Sequence, residues 1–260
     1  MIGVIAGDII GSPHEYIATK TTEFPLFGDR CRFTDDTVLT IATAYAILHR
    51  VPYAKAYRDF GRRYPDSDYG GSFFNWLMAD DPRPYRSWGN GSAMRVAPIG
   101  FAYDTEGSVL REAERSAAVT HDHPEGIKGA QATALAVLRA RTGASKDEIR
   151  EEISERFGYD LSRSVAQIRP DYVYHVSCQG SVPESIIAFL DSDSLESAIR
   201  LAISLGGDAD TMASIAGGIA HAFYRTVPKT IERGVRDRLP EDFLEILDDF
   251  ERRYPLDRVR

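Results

Sequence analysis

Two apolar runs of helical length, far apart in the chain, each begin with two aspartates and a threonine. The first is Phe33-Thr34-Asp35-Asp36-Thr37, heading Val38-Leu39-Thr40-Ile41-Ala42-Thr43-Ala44-Tyr45-Ala46-Ile47-Leu48. The second is Leu205-Gly206-Gly207-Asp208-Ala209-Asp210-Thr211, heading the small-residue run Met212-Ala213-Ser214-Ile215-Ala216-Gly217-Gly218-Ile219-Ala220. Short oxygen-bearing side chains satisfy orphan N–H groups at a helix start, so both segments read as helix heads. The first run is apolar nearly all round, which marks a buried helix. Gly206 and Gly207 lack a Cβ, so the chain can turn sharply there and another backbone or a ligand can come close just before the acids.

We read the two heads as one site, for a chemical reason. Each offers two carboxylates and a hydroxyl, all hard oxygen ligands, which suit Mg²⁺, Mn²⁺ or Ca²⁺ and suit Zn²⁺ or Cu poorly. One Asp pair is the ordinary content of a helix start, whereas two matching clusters are not. The helix dipoles favour ionised carboxylates, so the acids are expected to be deprotonated when a metal arrives. Two ions bridged by such acids can orient a substrate and activate a water.

The formal net charge of −8 argues against a general nucleic-acid or anionic-membrane binder, although a local metal site can invert the field for one anionic ligand. Cys31 and Cys178 are too few for a disulfide framework and fit a reducing compartment. The N-terminal residues lack the basic and long apolar parts of a signal peptide, and no stretch reaches membrane-spanning length. These features lead us to expect a cytoplasmic protein.

In chain order, Ile2–Gly11 carries glycines at 3, 7 and 11. It reads as a strand feeding a glycine loop or, at least as well, as a small-residue helix packed tightly on a neighbour; the spacing is not the dinucleotide pattern. A loop over 12–32 contains Glu15. Helices are expected over 34–49, 52–64, 72–79, 93–103, 108–119, 125–142, 146–157, 184–190, 195–204, 210–224 and 240–254. Gly89-Asn90-Gly91 precedes one of them: spacing alone favours a helix-start turn, while its flexible N–H groups make it a candidate anion-binding concavity. His121 and His123 alternate, but no second His or Cys pair completes a zinc set. Residues 168–176 are the best strand candidate, and an extended loop fits them too. With no repeat beyond the acid clusters and no linker, one all-α domain over 1–260 is the simplest account.

At this point the sequence resembles the ADP-ribosylglycohydrolase (ADP-ribosyl-acceptor hydrolase) family, including glycohydrolases of the dinitrogenase reductase-activating type. The likeness runs through Gly7-Asp8 with Gly11 and Glu15, Phe33 to Thr37, Gly89-Asn90-Gly91-Ser92-Ala93-Met94-Arg95, Thr120-His121 and Ser204 to Thr211, covering about residues 3 to 225. It implies a single compact orthogonal helical domain using two Mg²⁺ or Mn²⁺ ions to cleave the bond between an ADP-ribose anomeric carbon and an acceptor side chain such as arginine or serine. By position it implies metal oxygens from Thr34, Asp35, Asp36, Asp208, Asp210 and Thr211. Catalytic roles fall to Glu15, on a loop over the metals, and to Asp35, Asp36 and Asp208. Ser87, Trp88, Gly89, Asn90, Gly91 and Ser92 would hold the pyrophosphate and adjoining ribose with His121 nearby, Trp88 standing where the family carries Tyr. Cys178-Gln179-Gly180 would lie toward the adenine end. Two rivals share the scaffold: a metal-dependent hydrolase of phosphoesters, and a non-catalytic ADP-ribose binder.

Overall fold

The described residues, 1–256 of a computed structural model, form fifteen α-helices and no sheet. They are α1 (Ile2–Gly11), α2 (Asp35–His49), α3 (Tyr53–Arg63), α4 (Gly71–Met78), α5 (Gly91–Met94), α6 (Ala97–Ala102), α7 (Glu106–Ala117), α8 (Pro124–Thr142), α9 (Lys146–Phe157), α10 (Val165–Ile168), α11 (Cys178–Leu190), α12 (Leu195–Ile203), α13 (Ala209–Tyr224), α14 (Lys229–Arg236) and α15 (Glu241–Arg253). None is long and apolar enough to cross a membrane.

Of the two readings of Ile2–Gly11, the helix is the one adopted. Residues four apart share a helix face, so Gly3, Gly7 and Gly11 form a bare stripe, and that stripe meets α13 backbone to backbone. A Cβ added at Gly3 would stand 2.3 Å from the Gly217 carbonyl oxygen, and one at Gly7 2.1 Å from that of Ala213. One at Gly11 would stand 2.5 Å from the Asp210 Cα. The partners descend in number as the glycines ascend, so the two helices run antiparallel, with the end of α1 beside the head of α13. α13 is buried from Ala209 to Ala222 and packs also on α12, α11 and α8.

Two prolines redraw the expected boundaries. The helix expected over 93–103 is interrupted between Met94 and Ala97. Pro98 has no N–H, and its ring crowds the carbonyl four residues back. That Met94 carbonyl accepts the Thr40 hydroxyl at 3.4 Å instead, and the interruption leaves Arg95 wholly buried. Pro183 has the opposite outcome. α11 begins at Cys178 rather than at Glu184 and carries Pro183 inside it. Side chains occupy carbonyls around this weak point: Ser181 donates to the Ser177 carbonyl at 2.8 Å, and Tyr172 to that of Gly180 at 2.6 Å.

The strand candidate is extended chain with no ladder. Its neighbour Ser177 makes an isolated antiparallel bridge to Gly89. The alternation is nevertheless used, since Tyr172 packs on Gly207, Val173 faces outward, and Tyr174 and Val176 line a cleft. α14 was not expected. Its charged sequence hides one short apolar edge, Ile231 and Val235, with Gly234 against the Phe27 ring.

Gly7→Ala places a methyl into backbone atoms that cannot swing aside. We expect a loss of about 3 kcal/mol, read as a lower urea midpoint at unchanged m-value. A loss below about 0.5 kcal/mol, the level of an ordinary surface change, would show that α1 and α13 separate freely.

Candidate active site

The heads of α2 and α13 open into one cleft of about 350 Å³. Thr34 is the N-cap of α2 and accepts the Asp36 N–H at 3.4 Å. Its hydroxyl donates to Asp8 Oδ1 at 2.7 Å. Asp8 Oδ2 accepts the N–H groups of Thr34 at 2.9 Å and Thr37 at 3.0 Å. A wholly buried carboxylate of α1 therefore caps α2 and aims Asp35 and Asp36. From α13, Thr211 donates to Asp36 Oδ2 at 3.2 Å. From the glycine loop, Asn90 Nδ2 donates to Asp208 Oδ2 at 2.8 Å. Glu15 comes from the loop after α1, and one oxygen each of Glu15, Asp208 and Asp210 lies within 4.8 Å of the others. Lys20, on the same loop, donates to the Leu205 and Tyr172 carbonyls and so fastens it beside α13. Gly206 takes a left-handed φ of 70°, and a Cβ there would stand 2.9 Å from the Thr19 carbonyl oxygen. Gly206 thus admits the Glu15-bearing loop, while Gly207 admits the Tyr172 ring.

Contrary to the expectation from the sequence, the helix dipoles do not by themselves keep these acids ionised: burial and like charge outweigh them. The carboxyls of Asp35 and Asp36 are pushed well above the ordinary aspartate range, first by burial and then by the charge of Asp8. Asp210 is pushed up by burial and then by Asp208, and burial also raises Asp208 and Glu15. Asp35 keeps some surface open to the cleft, whereas Asp36, Asp208 and Asp210 are buried. Asp36 Oδ1 is sealed and has no hydrogen-bond partner. An oxygen-only donor set, clustered like charge and an orphaned carboxylate oxygen together fit a hard divalent cation.

The chain matches the ADP-ribosylglycohydrolase family over residues 1–258. It belongs to that family. ADP-ribosylhydrolase ARH3 of Mus musculus and of Homo sapiens is 29% identical to it over 256 residues, spanning 74% of this chain and 69% and 70% of theirs. The ADP-ribosylarginine hydrolase Tri1 of Pseudomonas putida is 25% identical, over 86% of this chain and 69% of its own. An uncharacterized Archaeoglobus fulgidus protein is 34% identical over 172 residues, of which the chain spans only 55%. A solved ADP-ribosylglycohydrolase-related protein complex has the same fold, with a TM-score of 0.74 at 24% identity, over 97% of this chain and 95% of that one. The expected fold and the expected enzyme class are those of the family.

Of the positions singled out by the family resemblance, Glu15, Asp35, Asp36, Ser87, Gly89, Asn90, Gly91, His121, Asp208, Asp210 and Thr211 line the cleft. Thr34, Trp88 and Ser92 do not. Thr34 lies beneath the acids, engaged with Asp8. Ser92 donates to the Gly126 carbonyl at 2.7 Å. Trp88 is 54% exposed, with its ring edge-on to His123. Cys178 is sealed and supports the glycine loop from behind, its Sγ donating to the Gly89 carbonyl at 3.0 Å. The loop offers less to an anion than its sequence suggests. The Gly89 N–H is used by Ser87 Oγ at 3.1 Å and the Asn90 N–H by the Val176 carbonyl at 2.8 Å. Among the described residues only the Gly91 N–H of the three has no partner.

Sequence reasoning gave no role to Asp8, Asp68 or Arg95. An acid within an otherwise apolar helix was the available signal for Asp8. Asp68 lines the cleft with a left-handed φ of 61° and pairs with Arg32 at 2.6 Å; Asp tolerates that conformation, and the polar turn around it was the only hint. Asp8→Asn puts an amide where three donors converge. We expect a stability loss of about 2 kcal/mol together with a weaker rise in melting temperature on adding Mn²⁺. An unchanged Mn²⁺ response would show that the α2 head is aimed by something other than Asp8.

Proposed function

We propose that this protein hydrolyses the glycosidic bond joining an ADP-ribose to a modified acceptor, such as a protein arginine or serine side chain. The observation that carries the reading is the convergence of two acid-headed helices on one cleft, where a buried carboxylate oxygen is left without a partner. Family membership and the ADP-ribosylhydrolase relatives support the choice of bond.

Asp35, Asp36, Asp208, Asp210 and Thr211 would hold two Mg²⁺ or Mn²⁺ ions, with Thr34 behind them. Bound there, the ions would supply Lewis acidity toward ribose hydroxyls and water. The remaining steps belong to the chain. Cleavage at an anomeric carbon develops positive charge on the sugar, and preorganised carboxylates stabilise that charge more than they stabilise the ground state. Glu15 is the half-buried acid, hydrogen-bonded by Tyr174 at 3.4 Å. In this reading it exchanges a proton with the departing acceptor. Ser87, the Gly91 N–H and His121 bind the pyrophosphate side and orient the ribose over the acids.

The direct assay is release of ADP-ribose from ADP-ribosyl-arginine and ADP-ribosyl-serine peptides with Mg²⁺, Mn²⁺ or EDTA. We expect cation-dependent release from one or both. No release from either, with ADP-ribose still bound in a calorimeter, would favour the binding-protein reading.

A second prediction follows from the raised Asp36 carboxyl. A folded-state pKa above the unfolded one means that the ionised form destabilises the fold, the penalty growing as pH rises through the folded value. Asp36→Asn removes that charge and keeps the shape. In EDTA at neutral pH it should melt about 2–4 °C higher than the wild type, while losing more than about 100-fold in turnover. A variant that melts lower in EDTA, or that keeps full turnover, would contradict this assignment.

A further inference from the structure

We infer that Arg95 acts through Thr120 as a positioning residue that holds His121 in its neutral Nε2–H tautomer, so that the cleft is offered a hydrogen-bond donor beside the glycine loop. Only the identity of the ligand atom that meets this donor, an oxygen of ADP-ribose, rests on the function proposed above.

Arg95 is wholly buried, with its guanidinium 4.4 Å over the Tyr57 ring. Its Nη2 donates to the Ser116 carbonyl at 3.2 Å and to Thr120 Oγ1 at 2.9 Å. Arginine has no acceptor and does not lose its proton. Thr120 Oγ1 must therefore accept from it, and the hydroxyl proton is left to be placed. Thr120 is itself sealed, and its other partner is His121 Nδ1 at 2.7 Å.

Two assignments satisfy this geometry. In the first, Thr120 donates to Nδ1 while it accepts from Arg95. In the second, Nδ1–H donates to Thr120, whose proton then has no hydrogen-bond acceptor among the described residues. Imidazole nitrogen is the stronger acceptor, and a hydroxyl that accepts from a guanidinium is polarised into a better donor. The first assignment wins. Burial and then the Arg95 charge push the His121 pKa well down, which leaves the ring a single proton. That proton is on Nε2.

Nε2 faces the cleft. It has no partner among the described residues and is not one of the sealed polar atoms. A Cβ on Gly91 would stand 3.1 Å from it and one on Gly89 3.5 Å. The two glycines thus keep the space in front of the donor clear. Their value to the site lies as much in this clearance as in their own N–H groups, of which that of Gly89 is used by Ser87.

The test is the ring-nitrogen ¹⁵N spectrum of the full chain without ligand, with the His121 signal assigned by its loss in His121→Gln. We expect Nδ1 to resonate as a bare nitrogen and Nε2 as a protonated one. A proton found on Nδ1 overturns the proposal, and the reading is made on the wild-type chain, the variant serving only to assign the signal. Thr120→Val removes the hydroxyl at nearly constant shape. It should mix the tautomers and weaken ADP-ribose binding about tenfold by calorimetry; Thr120→Ser should restore both. A Thr120→Val spectrum identical to that of the wild type also overturns the proposal. Should ADP-ribose fail to bind the wild type, the functional reading falls while the spectrum still decides the tautomer.

Discussion

The backbone contact between α1 and α13 is the constraint on which the site depends. Three glycines let the two helices approach until carbonyls sit where side chains would ordinarily stand. That contact places the end of α1 against the head of α13, and from there the Asp8 carboxylate reaches the head of α2. One buried acid thereby fixes the directions of two others. A bulkier residue at any point of the stripe separates helices whose heads must be held to within a hydrogen bond of each other.

The same geometry gathers like charges where water is scarce. Desolvation raises the carboxyls, and at Asp35, Asp36 and Asp210 the neighbouring acids raise them further, so the free cluster opposes the fold that builds it. Hydrogen bonds from Thr211 and Asn90 offset part of the cost and also tie α2, α13 and the glycine loop to a common centre. This is the pattern of a site whose stability is completed by what it binds. On the facing wall the same two effects act on a base: burial and the Arg95 cation disfavour the charged form of His121 and keep it neutral.

Departures from regular helix supply the rest. The interruption at Pro98 leaves Arg95 buried beneath Tyr57 and within reach of Thr120. The extended chain from Tyr172 to Val176 folds its alternating side chains between the Glu15 loop and the cleft, in place of a sheet. Both features come from segments whose local pattern points elsewhere, toward one continuous helix and toward a strand.

By itself, the sequence determined the helical class and which oxygen-bearing side chains stand at the two helix heads. Apolar runs with capped, acidic heads admit little besides buried helices, because the unpaired N–H groups at a helix start need oxygen acceptors. Matching hard-ligand sets at two heads pointed to one shared site, and the two heads do open into one cleft. Tertiary structure decided what local pattern leaves open. Whether Ile2–Gly11 was strand or helix depended on a partner able to meet a bare stripe, and α13 is that partner. Which acids cap and which face the cleft was also undetermined, since Asp8 and Asp36 are the same residue type in different surroundings. The glycine loop shows the limit most plainly: its sequence advertises free N–H groups, yet residues 87 and 176 occupy two of them. Capping and periodicity are local and legible along the chain, whereas desolvation and hydrogen-bond competition depend on which distant groups arrive.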